Sequence, residues 1–188
     1  MEFTVDASGL SLPATLDEPA RAARGGVVVL HAAEAGERSF FLYQHLSEAL
    51  TSIGVAVLRY DRRTSSNGTV HVGHQAADAV AAIRLLRDQA GDVPMGLWGL
   101  GTGALAAAAA AIAYPAEVDF VIAVSVPGGG FRLSIPVLEF QGKTLLSASQ
   151  PDSESVELPG CTYWPANGET VSEVYTSAMT AWLARLLG

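Results

Sequence analysis

The 188-residue chain has one cysteine, Cys161, so no disulfide can form within it. It has four histidines, His31, His45, His71 and His74, and none later in the chain. No Cys/His cluster has zinc-site spacing, so no metal centre is expected. No apolar run reaches the ~18 residues of a membrane span, and the Ala104–Ala113 stretch is both short and weakly hydrophobic. Basic residues are scarce, with 11 Lys and Arg against 19 Asp and Glu, a net charge of −8. Arg62-Arg63 is the only adjacent basic pair. That balance argues against nucleic acid or an anionic membrane as partner. The opening MEFTVDASG lacks the basic-then-apolar order of a signal peptide, so a cytoplasmic location is expected.

What is present is apolar: 49% of the residues, enough for a large core in one domain over 1–188. Residues 2–17 read as two short strands around Ala7-Ser8-Gly9. Val27–Leu30 is a continuous β-branched run and Val55–Leu58 a second apolar run, as in strands covered on both faces. Between them, Leu42, Leu46, Ala49, Leu50 and Ile53 mark one helical face. A polar loop, 62–73, leads to a helix over about 74–90 with Ala76, Val80, Ile83 and Leu86 on one side. Further strands are expected at 120–124, 135–140 and 155–158. Thr170-x-x-Glu173 has the form of a capping box before a last helix striped by Val171, Val174, Tyr175, Ala178, Trp182 and Leu186. Alternating buried strands and helices predict a doubly wound, mainly parallel α/β sheet.

The most informative stretch is PMGLWGLGTGALAAAAAAIA, 94–113. It reads as a buried strand, a glycine turn and an alanine-rich helix. That is the frame of a nucleophile elbow, G-x-S-x-G, written here as Gly99-Leu100-Gly101-Thr102-Gly103. The serine position holds Gly101.

Several other stretches fall into line with it. VVVLHAAEAG has the form of a strand and oxyanion loop, and GVAVLRYDRRTSSNG of a strand and Asp-Arg-Arg turn. IPVLEFQGK reads as the strand before a catalytic acid, and VELPGCTYWP as a histidine-bearing segment. The series resembles the α/β-hydrolase family, nearest its dienelactone-hydrolase-like and small esterase or peptidase members. The resemblance covers essentially the whole chain, in family order. It implies an α/β-hydrolase-like domain, and the short link after Ser125 makes a minimal, capless one the expectation. It also implies a Ser-Asp-His triad, and each of the three positions is substituted. The nucleophile site holds Gly101. The acid site falls in Lys143-Thr144-Leu145, and the histidine site holds Tyr163.

What could remain is an oxyanion pocket. The N–H of Thr102 and of Ala32 or Ala33 are the expected donors, at a helix N-terminus that favours negative charge. A small molecule is expected in a cleft above the strand C-terminal ends, with Gly101, Ser125 and Trp164 also lining it. His31, Asp61 and Tyr163 are the candidates for positioning and proton transfer, without any cofactor. The leading expectation is a non-hydrolytic cyclase, isomerase or lyase. The alternatives are a ligand- or partner-binding pseudoenzyme, and a hydrolase with a displaced nucleophile at Thr102 or Ser125. Glu139 interrupts an apolar strand and is expected on an exposed face; the alternative is a buried carboxyl with a raised pKa, able to act as an acid or base. The nine residues between Ser125 and Ile135 leave little room for a crossover helix. An uncovered apolar sheet face near 126–155, with homodimerisation through it, is therefore expected.

Overall fold

A computed structural model describes residues 1–63, 71–128, 132–141, 153–158, 161, 164–168 and 170–188. The chain opens with an antiparallel hairpin, Glu2–Ala7 (β1) and Leu10–Asp17 (β2). Ser8 and Gly9 turn it with φ of 51° and 81°, the left-handed pair a two-residue hairpin needs. The remaining sheet elements are Gly25–Leu30 (β3), Val55–Tyr60 (β4), Met95–Leu100 (β5), Phe120–Val124 (β6), Val137–Gln141 (β7) and Ser153–Glu157 (β8). The helices are Phe41–Ser52 (α1), Val72–Ala90 (α2), Thr102–Ala113 (α3) and Glu173–Leu186 (α4).

The sheet order is β1-β2-β4-β3-β5-β6-β7-β8. β2 joins β4 antiparallel, and every pair from β4 to β8 is parallel. β3, β4, β5, β6 and β7 are buried along their whole length. That explains their continuous apolar runs: helices cover both faces. One core layer packs α2 and α3 on the sheet through Val80, Ile83, Leu86 and the alanines of α3. The other gathers Leu42, Leu46 and Leu50 of α1 with Tyr175, Met179, Trp182 and Leu183 of α4 around Trp98 and Phe120. Trp98 donates its indole N–H to the Tyr175 hydroxyl at 2.7 Å, tying β5 to α4.

Three expectations are corrected. The last helix is capped by Ser172, whose hydroxyl accepts from the Tyr175 N–H, and not by Thr170. Thr170–Val171 (β10) instead pairs with Ala166–Asn167 (β9) in a small ribbon. The buried stripe of α4 is Tyr175, Met179, Trp182 and Leu183, while Val174 and Leu186 are exposed.

Glu139 is buried, at 2% exposure. It pairs in register with Ala123 of β6 and Ser155 of β8, and the Gln141 amide approaches it. The parallel β6–β7 connection does contain no helix among its described residues. Leu133 and Ile135 pack over that face instead, so the face is covered. The expected apolar opening near 126–155 is therefore absent among the described residues. The large exposed apolar side chains lie elsewhere: Met1, Leu10, Ile112, Tyr114, Val174 and Leu186.

Candidate functional site

The elbow sits where β5 turns into α3. Gly101, at φ 57° and ψ −116°, occupies its tip in a conformation that strains an L-residue. Its N–H donates to the Val124 carbonyl at 2.9 Å, and its own carbonyl takes the Ala104 N–H at 3.0 Å. The two flanking glycines are required by space. A β-carbon at Gly99 would lie 2.4 Å from the Gly103 carbonyl oxygen, and one at Gly103 would lie 2.5 Å from that of Leu30. The helix thus starts in direct backbone contact with β5 and the end of β3. Ser125 stands beside Gly101 at the end of β6, 3% exposed and at φ 51°. The Thr102 hydroxyl is buried and has no hydrogen-bond partner.

His31 follows β3 and is fully buried. Its ring meets Tyr43 and Tyr60 edge-on, each at 5.2 Å. Neither ring nitrogen makes a hydrogen bond of good geometry, although the Tyr60 main chain lies close enough to favour the protonated ring slightly. Burial first, and the Arg62 charge second, push its pKa down to about 3, with the Tyr60 backbone offsetting a little. The imidazole is therefore neutral at physiological pH.

The loop after His31 is held from two sides. Tyr43, buried on α1, accepts the Ala32 N–H at 3.3 Å and donates to the Ala35 carbonyl at 2.8 Å. Arg62 donates to the Ala32 carbonyl and, at 2.9 Å, to the Ala33 carbonyl. One expected oxyanion donor, Ala32, is thus engaged inside the fold, while Ala33 is exposed.

Asp61 serves the same loop. It accepts the Arg38 N–H at 2.8 Å and pairs with the Arg38 guanidinium. Arg38 also reaches Glu2 at 3.0 Å and Thr15 at 3.1 Å, so Asp61 anchors a bridge from the N-terminal hairpin to the loop. Trp164 packs against Phe40 at 5.4 Å, and Phe40 against Tyr43 at 5.1 Å. An aromatic chain therefore joins Trp164 to His31. Tyr163, with the acid position at 143–145, lies outside the described residues.

The structure brings Gly101, Thr102 and Ser125 together at one end of the sheet, and His31, Ala32 and Trp164 around Tyr43. Asp61 turns to Arg38. Tyr43 and Arg62 were missed by sequence reasoning. Tyr43 lies beside Leu42 on the buried face of α1, and only its hydroxyl sets it apart. Arg62 was visible as half of a basic pair in the Asp-Arg-Arg turn, with nothing in the sequence to tie it to the loop after β3. Among the described residues no three His, Cys, Asp or Glu side chains converge as a metal site, and no helix is long and apolar enough to cross a membrane. A groove of about 560 Å³ lies against Asp17, Ser47 and Arg59. A second, of about 490 Å³, adjoins it around Arg38, Arg59 and Asp61. Both run along the β2–α1 flank.

The eight-stranded order, the helices on both faces and the elbow define an α/β-hydrolase-like fold. No family model matches the chain, and no curated protein matches it in sequence. Solved structures do. A dienelactone hydrolase from Anabaena variabilis ATCC 29413 aligns at a TM-score of 0.74 and 18% identity, over 98% of this chain and 95% of that one. Est1E from Butyrivibrio proteoclasticus, bound to ferulic acid, aligns at 0.78 and 16%, over 97% and 98%. XC6422 from Xanthomonas campestris, an α/β serine hydrolase without a lid, aligns at 0.71 and 19%, over 100% and 91%.

Proposed function

We propose that this chain is a non-hydrolytic protein of the α/β-hydrolase-like fold, and that it receives a small molecule at the elbow without a covalent intermediate. The observation that carries this reading is Gly101 at the elbow tip: its backbone has the strained turn, and it has no side chain to attack with. Thr102 next to it has an unbonded hydroxyl, and His31 has two unbonded nitrogens. No nucleophile–base hydrogen bond therefore joins them, which weakens the displaced-nucleophile alternative at Thr102. The N-terminus of α3 and the exposed Ala33 favour a ligand bearing a carboxylate or an enolate-like oxygen.

Two uses of such a site differ. An enzyme of the cyclase, isomerase or lyase kind would need an acid–base group at the ligand. A binding module would not. His31 is sealed between two tyrosines and Asp61 is committed to Arg38, and these placements favour binding. The catalytic use would then fall to Tyr163. The solved neighbours are hydrolases by name, and at below 20% identity their likeness supports the fold alone.

The reading is tested by fluorophosphonate labelling and p-nitrophenyl ester turnover. Both are expected to match a buffer control. Stoichiometric labelling of Thr102 or Ser125 would overturn it.

A further inference from the structure

We propose that Arg62 is a positioning residue that turns the loop after β3 into a pair of amide donors facing the elbow. The proposal deepens the reading above and rests on it. The hydrogen bonds of this loop are nearly all accounted for. Tyr43 takes the Ala32 N–H and the Ala35 carbonyl. Arg62 takes the carbonyls of Ala32 and Ala33 through its two terminal nitrogens, and its own N–H donates to the Gly36 carbonyl at 2.8 Å. Gly36 makes room for this grip, since a β-carbon there would lie 3.1 Å from the guanidinium.

The geometry of the peptide bond does the rest. Every peptide here is trans, so the C=O and the following N–H of each unit point in opposite directions. The Ala32 and Ala33 carbonyls face Arg62, which follows β4. The N–H groups of Ala33 and Glu34 therefore face the other way. β3 lies between β4 and β5 in the sheet, so the other way is the side of β5, where Gly101 and Thr102 stand. Ala33 and Glu34 are exposed residues, and among the described residues neither amide donates to a main-chain carbonyl. Together with the Thr102 N–H they form a three-amide cradle for one oxygen of a small carboxylate. Tyr43 braces the loop from within, and Arg62 sets the direction of its donors from without.

The test is amide NMR of the full chain, titrated with sodium acetate against sodium chloride at equal ionic strength. In the wild type, Ala33, Glu34 and Thr102 are expected to shift together and saturably. In Arg62→Ala, Ala33 and Glu34 should lose that response, or show it at about tenfold higher acetate, while Thr102 keeps its own. Arg62→Lys should restore part of the response, because one ammonium reaches one carbonyl at a time; it also serves if the alanine variant fails to fold. An equal Ala33 and Glu34 response in wild type and either variant overturns the proposal. If acetate moves Thr102 alone in the wild type, the role of Arg62 falls and the elbow site stands. If acetate moves none of the three, both fall.

Discussion

The backbone at Gly103 touches the backbone at Leu30: a β-carbon on Gly103 would lie 2.5 Å from the Leu30 carbonyl oxygen and 2.8 Å from that of His31. Neither obstacle is a side chain that could swing aside. Gly103→Ala must push α3 away from the end of β3 and open the elbow. We expect a loss of about 2–3 kcal/mol in urea denaturation, within the range for overpacked interiors. Gly73→Ala is the control. Nothing lies within 4 Å of a β-carbon there and its φ is not left-handed, so no loss of stability is expected. Equal costs at the two sites would show that the elbow contact is slack.

That contact also shows how far the sequence could be read. Glycines at 99 and 103 flanking a turn between an apolar run and a helix announce the elbow, because no other residue fits two crossing backbones. The parallel sheet was legible for a similar reason: buried strands show as short, largely apolar runs. Glu139 was misread because its neighbours said only that it breaks a pattern. Its burial follows from the place of β7 inside the sheet, between β6 and β8, which no periodicity within the strand encodes. The role of Tyr43 was hidden likewise. Its ring belongs to the core, and its hydroxyl acts on a loop that precedes it in the chain.

His31 should make the protein acid-sensitive. Its pKa is pushed from 6.5 to about 3 in the fold, whereas the unfolded chain keeps the ordinary value. Below 6.5 the unfolded state takes up a proton that the folded state refuses. The stabilisation is therefore complete above pH 6.5 and is lost progressively down to about 3. Between pH 6.5 and 4.5 the loss is about 2–3 kcal/mol. His31→Phe keeps the ring packing and removes the titration. Carboxylates titrate in both proteins, so the difference between their stability–pH curves isolates His31. Parallel curves would mean that the imidazole finds solvent or a partner.

Gly101→Ser restores the residue type of a nucleophile elbow without restoring a base. The added side chain must adopt φ near 57°, so about 1–2 kcal/mol of stability should be lost. Turnover of p-nitrophenyl acetate should stay at the background rate. A burst of nitrophenolate followed by steady turnover would reveal an acid–base partner within reach of the tip, and would reopen the hydrolytic reading.

Asp61 is expected to behave as a brace. Asp61→Asn keeps the shape but loses the charge opposite Arg38. Both side chains are about a third exposed, so solvent screening limits the cost to about 1 kcal/mol. Hydrogen exchange should quicken at Arg38, whose N–H the carboxylate now holds. If acetate binding at Thr102 disappears while that amide stays protected, Asp61 acts at the ligand and not on the loop.

Arg63 and Asp78 make the more costly pair. The Asp78 carboxylate is fully buried and takes two hydrogen bonds from Arg63, one of 2.7 Å, close to Tyr60. Removing Arg63 alone strands that charge. Arg63→Ala should cost about 3–5 kcal/mol at neutral pH. Joining Arg63→Met to Asp78→Leu removes both charges and should recover most of the loss. α2 packs its first turns against the end of β4 through this pair, so the single variant should expose the N-terminal half of α2 to hydrogen exchange before the rest. A double variant as unstable as Arg63→Ala would mean that the pair specifies the position of α2 through geometry that apolar packing cannot replace.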